Sequence, residues 1–231
     1  MSGSYTGVDF YNLDSLLSEE ERAVRDTVRA WVDDALMPVI GDAYIEGKFP
    51  KQLIPGMAEL GLFGANLPEE YGCAGLNNVA YGLIMQELER GDSGIRSFAS
   101  VQGALVMYPI YAFGSDEQKK RWLPSLAAGT DIGCFGLTEP DYGSNPGGMI
   151  TTAKETKDGW VLNGAKMWIT NADRAQYGIV FERTDAAKGR AGITCFIIDS
   201  DTPGFHVRRV VHTLRSSHYA TELEFKDCWV S

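Results

Sequence analysis

Histidine and cysteine are scarce in this chain, with three and four in 231 residues. Cys73, Cys134, Cys195 and Cys228 are scattered with no C-x-x-C spacing, so they read as reduced thiols, not as a disulfide framework or a thiolate metal site. His206, His212 and His218 are spaced by six and lack carboxylate or cysteine companions at ligand spacing, which leaves no expected metal centre. No apolar run approaches the ~20 residues of a membrane span, so no membrane insertion is expected. Positive charge is in deficit: 21 Lys and Arg face 31 Asp and Glu, for a net charge of −10. That balance argues against nucleic acid as a main partner, although a few local donors can still hold an anionic ligand. The opening MSGSYTGVDFYNLDSLLSEEE is acidic, with neither an apolar targeting core nor an Arg-rich amphipathic stretch. The expectation is a soluble, cytoplasmic protein, or a matrix protein of mitochondria if a transit peptide has been removed.

What is present is ordinary globular material: 44% hydrophobic and 23% charged residues, enough for one large domain or two modest ones. The two halves have different patterns. Up to residue 130 the chain is helical. Ser18 and Glu21 form a capping box ahead of Val24, Val28, Trp31, Val32 and Ala35, and Pro38 is expected to close that helix. Further helices are expected over Lys51–Leu60, Asn77–Gly91 and Ser97–Phe113, and after a second capping box at Ser115–Gln118. From Asp131 the period becomes two. Asp158-Gly159 and Asn163-Gly164 read as hairpin turns, GITCFIID (192–199) as a buried strand, Pro203-Gly204 as a turn, and ELEFKDCWV (222–230) as a final strand. The fold expected is α+β: an all-α domain over 1–130, then an antiparallel, barrel-like β domain over 131–231.

Between these patterns lies CFGLTEPDYGSNPGG (134–148). It is neither a phosphate-binding P-loop nor a dinucleotide-binding glycine turn, and it precedes hairpins, not a βαβ unit. Thr138 and Ser144 offer hydroxyls, while Gly136 and Gly143 leave nearby amides approachable, a set suited to a phosphate and a flat heterocycle. The plainer alternative is a Gly-Pro linker between two domains.

The motifs in order resemble acyl-CoA dehydrogenases. They are LPEEYGCAGL (67–76), YGLIMQELER (81–90), GSDEQKKRWLPSLAAG (114–129), FGLTEP followed by GS, and LNGAKMWIT (162–170). ELERGDSGIRS (87–97) and SVQGALVMYPIYAFGS (100–115) bring the likeness closest to glutaryl-CoA dehydrogenases. The resemblance covers almost the whole chain. It implies FAD as cofactor and oxidation of an acyl-CoA thioester to the 2,3-enoyl-CoA, with glutaryl-CoA as substrate and decarboxylation open. An electron-transferring flavoprotein would be the acceptor, and the full-length family is tetrameric.

Carried over by residue, Phe135, Gly136, Leu137, Thr138, Gly143 and Ser144 would run along the flavin, with Ser144 also serving the CoA side. Trp168 would cover the ring system, and Ile169 and Thr170 would line it. Arg96, with Glu89 and Ser97, would meet the distal carboxylate of a dicarboxylic acyl chain, a task suited to the forked guanidinium. Glu139, though tempting as a base, reads as structural. Asn145 stands where the family commonly has Asp after Gly-Ser. The catalytic base is expected in a C-terminal helical domain that follows this pattern in the family and is absent here, so the 231 residues are expected to be inactive alone. An acyl-CoA oxidase-like enzyme and a non-catalytic flavin- or thioester-binding fragment are the alternatives.

Overall fold

A computed structural model describes residues 10–212 and 219–231. Helix α1 (Glu19–Trp31) starts on the expected capping box: the Glu21 amide donates to Ser18 Oγ at 3.1 Å, and the Ser18 amide to Glu21 Oε2 at 2.8 Å. Pro38 does not end it. Residues 32–36 form a π-helical stretch in which the Met37 amide reaches back five residues to Val32, and α2 (Met37–Glu46) continues with Pro38 in its first turn. The five-residue step takes one carbonyl out of register and so accommodates a residue without an N–H.

The same device recurs further on. After α3 (Ile54–Glu59) and α4 (Asn78–Gly91), helix α5 (Ser93–Ser100) begins at Asp92, whose side chain accepts from the Ile95 amide at 2.9 Å. A π-helical stretch over 101–107 then leads into α6 (Tyr108–Phe113), with Pro109 in its first turn. The expected helix over 97–113 is therefore real but starts four residues earlier and changes pitch midway. Helix α7 (Asp116–Ala127) carries the second capping box as read from the sequence.

The second half is a curled seven-stranded sheet: β1 (Gly133–Gly136), β2 (Thr152–Glu155), β3 (Trp160–Thr170), β4 (Tyr177–Arg183), β5 (Ile193–Asp199), β6 (Phe205–Val211) and β7 (Ala220–Val230). The order is β1-β4-β2-β3-β7-β6, with β5 on β4. Most pairs are antiparallel as expected, but β1 and β2 both run parallel to β4. The hairpin turn is Asp158-Gly159; Asn163-Gly164 instead lies inside β3 opposite a bulge in β7, where Asn163 Oδ1 accepts the Asp227 amide at 2.9 Å. Strand β5 is not buried on both faces, since Thr194 and Cys195 are exposed.

The two halves share a core. Val32, Leu36, Met57, Leu88, Phe98 and Met107 of the helices join Ile132 and Ile179 of the sheet, and Phe135, Tyr177 and Phe181 pack against them. Contact is close enough at Gly133 that a Cβ would stand 2.4 Å from Val106 Cγ1. The fully buried Gln102 stitches the seam: Nε2 donates to Leu126 O (3.0 Å) and Asp131 O (2.9 Å), and Oε1 accepts from the Gly133 amide (2.9 Å).

Candidate functional site

A cleft of about 850 Å³ opens between the helical run 105–118 and strands β1, β4 and β5. Its walls are apolar: Leu105, Pro109 and Phe113 on one side, Phe135, Leu137 and Phe181 on the other. Ser144, Gly147 and Arg190 supply polar groups, and no Asp or Glu is among its lining residues. Arg183 braces the surrounding loops, donating to Met149 O (3.0 Å), Gly147 O (2.7 Å) and Gly189 O (2.9 Å).

The residues singled out in the sequence divide into groups. Phe135 and Leu137 face the cleft, with the Phe135 ring edge-on to Phe181 at 5.2 Å. Gly136 does not offer an approach to a ligand: it is buried in β1, and its nearest neighbours are Val180 and the Lys166 stem. Two residues on, Thr138 O accepts the Met167 amide at 2.8 Å, which joins the FGLTEP segment to the KMWIT strand.

There β3 bulges: between the pairs Lys166–Leu223 and Ile169–Thr221 it carries one residue more than β7. Trp168 takes φ 64° and is 51% exposed, an uncommon degree of exposure for an indole. Ile169 is turned the other way into the sheet core, so its side chain lines no surface; only Trp168 and Thr170 look outward. The hydroxyls of Thr138, Ser144 and Thr170 make no hydrogen bond among the described residues, and open space surrounds Gly143. A half-bare indole, free hydroxyls and an open glycine loop fit a flat heterocycle with a phosphate tail, as FAD has.

Arg96, Ser97 and Glu89 form a separate group. Arg96 Nε donates to Glu89 Oε2 at 2.6 Å and Nη1 to Ser100 Oγ at 3.3 Å, while Ser93 Oγ also donates to Glu89. The bonds from Arg96 and Ser93 hold the Glu89 carboxyl below the usual range. Ser97 contributes its carbonyl to Ser100 Oγ at 3.1 Å. None of the three lines the cleft. Arg96 precedes Leu105 by nine residues on one helical run, roughly 14 Å along the axis.

Sequence reasoning missed what lies beneath the Thr138–Met167 junction. Lys166 is fully buried, and its Nζ reaches Phe181 O (2.5 Å), Thr151 Oγ1 (2.8 Å), Glu139 Oε1 (3.0 Å) and Leu137 O (3.5 Å). Glu139 is structural, as expected: it accepts from the Ile150 amide (2.7 Å), the Thr151 amide (3.2 Å) and Thr151 Oγ1 (2.5 Å). Burial pushes its carboxyl up, but these bonds and Lys166 outweigh it and hold it low. Gly164 makes the approach of Thr151 feasible, since a Cβ there would lie 2.2 Å from Thr151 Cγ2. Beside them Glu182 is fully buried, with neither carboxylate oxygen hydrogen-bonded among the described residues. Burial pushes its carboxyl up to about 7, with Lys166 and Thr151 offsetting part of the cost. A strand pattern that alternates polar and apolar residues hides such groups, because it reads Lys166 and Glu182 as solvent-facing.

Of the three histidines, His206 is exposed on β6, His212 follows that strand, and His218 lies outside the described residues. No group of three or more metal-binding side chains occurs among the described residues.

A helical unit packed on a curled sheet, with an apolar cleft at their junction, defines the class: a two-part, helical-plus-sheet fold. The chain belongs to the acyl-CoA dehydrogenase family. Residues 18–130 match the acyl-CoA dehydrogenase N-terminal domain and 134–228 the middle domain. A glutaryl-CoA dehydrogenase from Mycobacterium smegmatis, solved in complex with FADH2, superposes with a TM-score of 0.89 at 46% identity, over 95% of this chain and 56% of that one. Butyryl-CoA dehydrogenase from Megasphaera elsdenii gives 0.88 at 33% identity, over 97% and 58%. The short-chain specific acyl-CoA dehydrogenase of Rattus norvegicus is 38% identical over 214 residues, 92% of this chain and 52% of that protein. The chain thus spans about half the length of the relatives it matches.

Proposed function

We propose that this chain is the flavin- and thioester-binding part of an FAD-dependent acyl-CoA dehydrogenase acting on glutaryl-CoA. The observation that carries the flavin reading is the junction of Thr138 with Met167, which brings the FGLTEP segment against the strand that bears the half-exposed Trp168 and Thr170. Bound FAD supplies the acceptor for the hydride that leaves the β-carbon. Trp168 shields one side of the ring system from water. Thr138 would donate toward the pyrimidine end and Thr170 toward the redox-active nitrogen, where a positioned donor would favour the arriving charge. Ser144, with the open backbone at Gly143, serves the pyrophosphate and the CoA side.

Removing the α-proton requires a base within hydrogen-bond reach. No Asp or Glu lines the cleft among the described residues, so none of them is assigned that role, and these 231 residues alone are expected not to turn over. An electron-transferring flavoprotein as acceptor and a tetrameric assembly complete the reading.

The choice of glutaryl-CoA rests on Arg96, preset by Glu89 and Ser100 with guanidinium N–H groups still to give. The similarity to short-chain enzymes supports a second reading, in which the acyl chain lacks a distal carboxylate. The two are separated by comparing kcat/KM for glutaryl-CoA and butyryl-CoA in the full-length enzyme and its Arg96→Leu variant. A lost charge-assisted bond pair predicts a drop of about 10- to 100-fold for glutaryl-CoA and little change for butyryl-CoA. Equal losses on both substrates would contradict the assignment.

A further inference from the structure

We infer that Lys166 is a positioning residue for the flavin segment: it fixes the Leu137–Glu139 backbone, and Thr138 with it, under the control of a proton held on Glu182. The inference rests on the flavin reading above.

The count of donors and acceptors leads to it. A lysine ammonium has three protons, and Lys166 already faces four acceptors, of which Leu137 O at 3.5 Å is the weakest held. Thr151 has one hydroxyl proton, and it goes to Glu139 Oε1 at 2.5 Å. The short bond to Glu139 claims that proton ahead of the weaker pull of Thr151 on Glu182, and by hydrogen-bond geometry the two Glu182 oxygens are bare among the described residues. The groups that act on Glu182 come from every side: Lys166 on β3, Glu139 beyond β1, Thr151 ahead of β2 and Cys228 on β7. Only Lys166 is a cation. Two carboxylates therefore compete for one sealed ammonium, and the neutral acid is the form that leaves Glu139 in possession.

When Glu182 loses its proton to solvent water or base, a second anion is left beside Lys166. The ammonium is then drawn toward Glu182, and the bond it gives up first is the long one to Leu137 O. Leu137 is next to Thr138, whose carbonyl holds Met167, so the change passes directly to the edge that carries Trp168. No covalent bond is made or broken; one proton leaves the protein.

The test is amide hydrogen exchange of residues 135–139, corrected for intrinsic rates, with FAD titrations alongside, from about pH 6 to about pH 8.5, spanning the Glu182 pKa of about 7. In the wild-type protein, protection of the segment falls as pH rises and the FAD Kd rises roughly fivefold. In Glu182→Gln both are flat. Flat protection in the wild type, or the same pH dependence in Glu182→Gln, overturns the inference. A protein that shows the protection change but takes no FAD at any pH overturns the flavin reading and leaves the Lys166 device standing. If Glu182→Gln does not fold, the infrared band of a protonated carboxylic acid decides: in the wild type it is present at pH 6 and gone by pH 8.5, and its absence at pH 6 overturns the inference.

Discussion

Two ionic clusters built around buried carboxylates, one in each half, differ in stoichiometry. In the helical half Glu87 on α4, 1% exposed, is held by Arg29 Nη2 at 2.7 Å and Arg90 Nε at 3.0 Å, and Arg90 also reaches Asp33 at 2.8 Å. One anion sits between two cations, and both arginines remain over 40% exposed. In the sheet half one lysine sits between two carboxylates and every member is sealed from water. The first arrangement is redundant: burial opposes ionisation of Glu87, but the two arginines outweigh it and keep its carboxyl low. The second is one cation short, so a carboxyl is left to keep its proton. An ion cluster open to solvent, with two cations on its buried anion, fastens α1 to α4. A closed one with an anion to spare stores a proton beside the ligand edge.

The largest expected effect breaks the comparison at its single cation. Lys166→Met leaves Glu139 buried without its ammonium and should cost about 3–5 kcal/mol in urea unfolding. Arg29→Met, which leaves Arg90 on Glu87, should cost only about 1 kcal/mol. Similar losses for the two would erase the distinction drawn here.

Next comes pH. A carboxyl raised from 4.5 to about 7 in the fold binds its proton more tightly folded than unfolded. Its contribution, roughly 3 kcal/mol, is full below pH 4.5 and is lost as pH rises through about 7. Glu87 and Glu139 have the opposite sign: lowered in the fold, they add stability above the ordinary carboxyl range that is lost as pH falls through their folded pKa. Glu182→Gln should abolish the decline between pH 4.5 and 7 and leave the acid limb intact, as read by melting temperature across pH.

Gln102→Leu gives a loss of about 2–3 kcal/mol, because it leaves a buried amide of Gly133 and two carbonyls without partners at the seam between the halves. The smallest effect on stability belongs to Trp168→Ala, under about 1 kcal/mol by thermal unfolding, since the ring is half exposed.

Local signals in the sequence announced what depends on neighbours along the chain. Both capping boxes form with their reciprocal bonds, and Asp158-Gly159 makes its hairpin. Pro38 was misleading because π-helical spacing, invisible in composition, carried the helix through it. Asn163-Gly164 resembles a turn but serves a bulge, and its glycine is needed for Thr151, a neighbour only in space. Thr138, Trp168 and Thr170 were legible as motif members. Their meeting through Met167, and the Lys166–Glu139–Glu182 cluster underneath, depend on pairings across β1, β3 and β4 that no local pattern carries.

Whether the segment joining Thr138 to the Trp168–Thr170 strand holds a flavin is read from the visible spectrum of the purified protein after FAD is added and free cofactor is removed by gel filtration. The prediction is a retained flavin band in the wild type that is lost or strongly reduced in Trp168→Ala, with the fold intact. A wild-type protein that emerges colourless, or a Trp168→Ala variant that keeps the flavin as firmly, would contradict it.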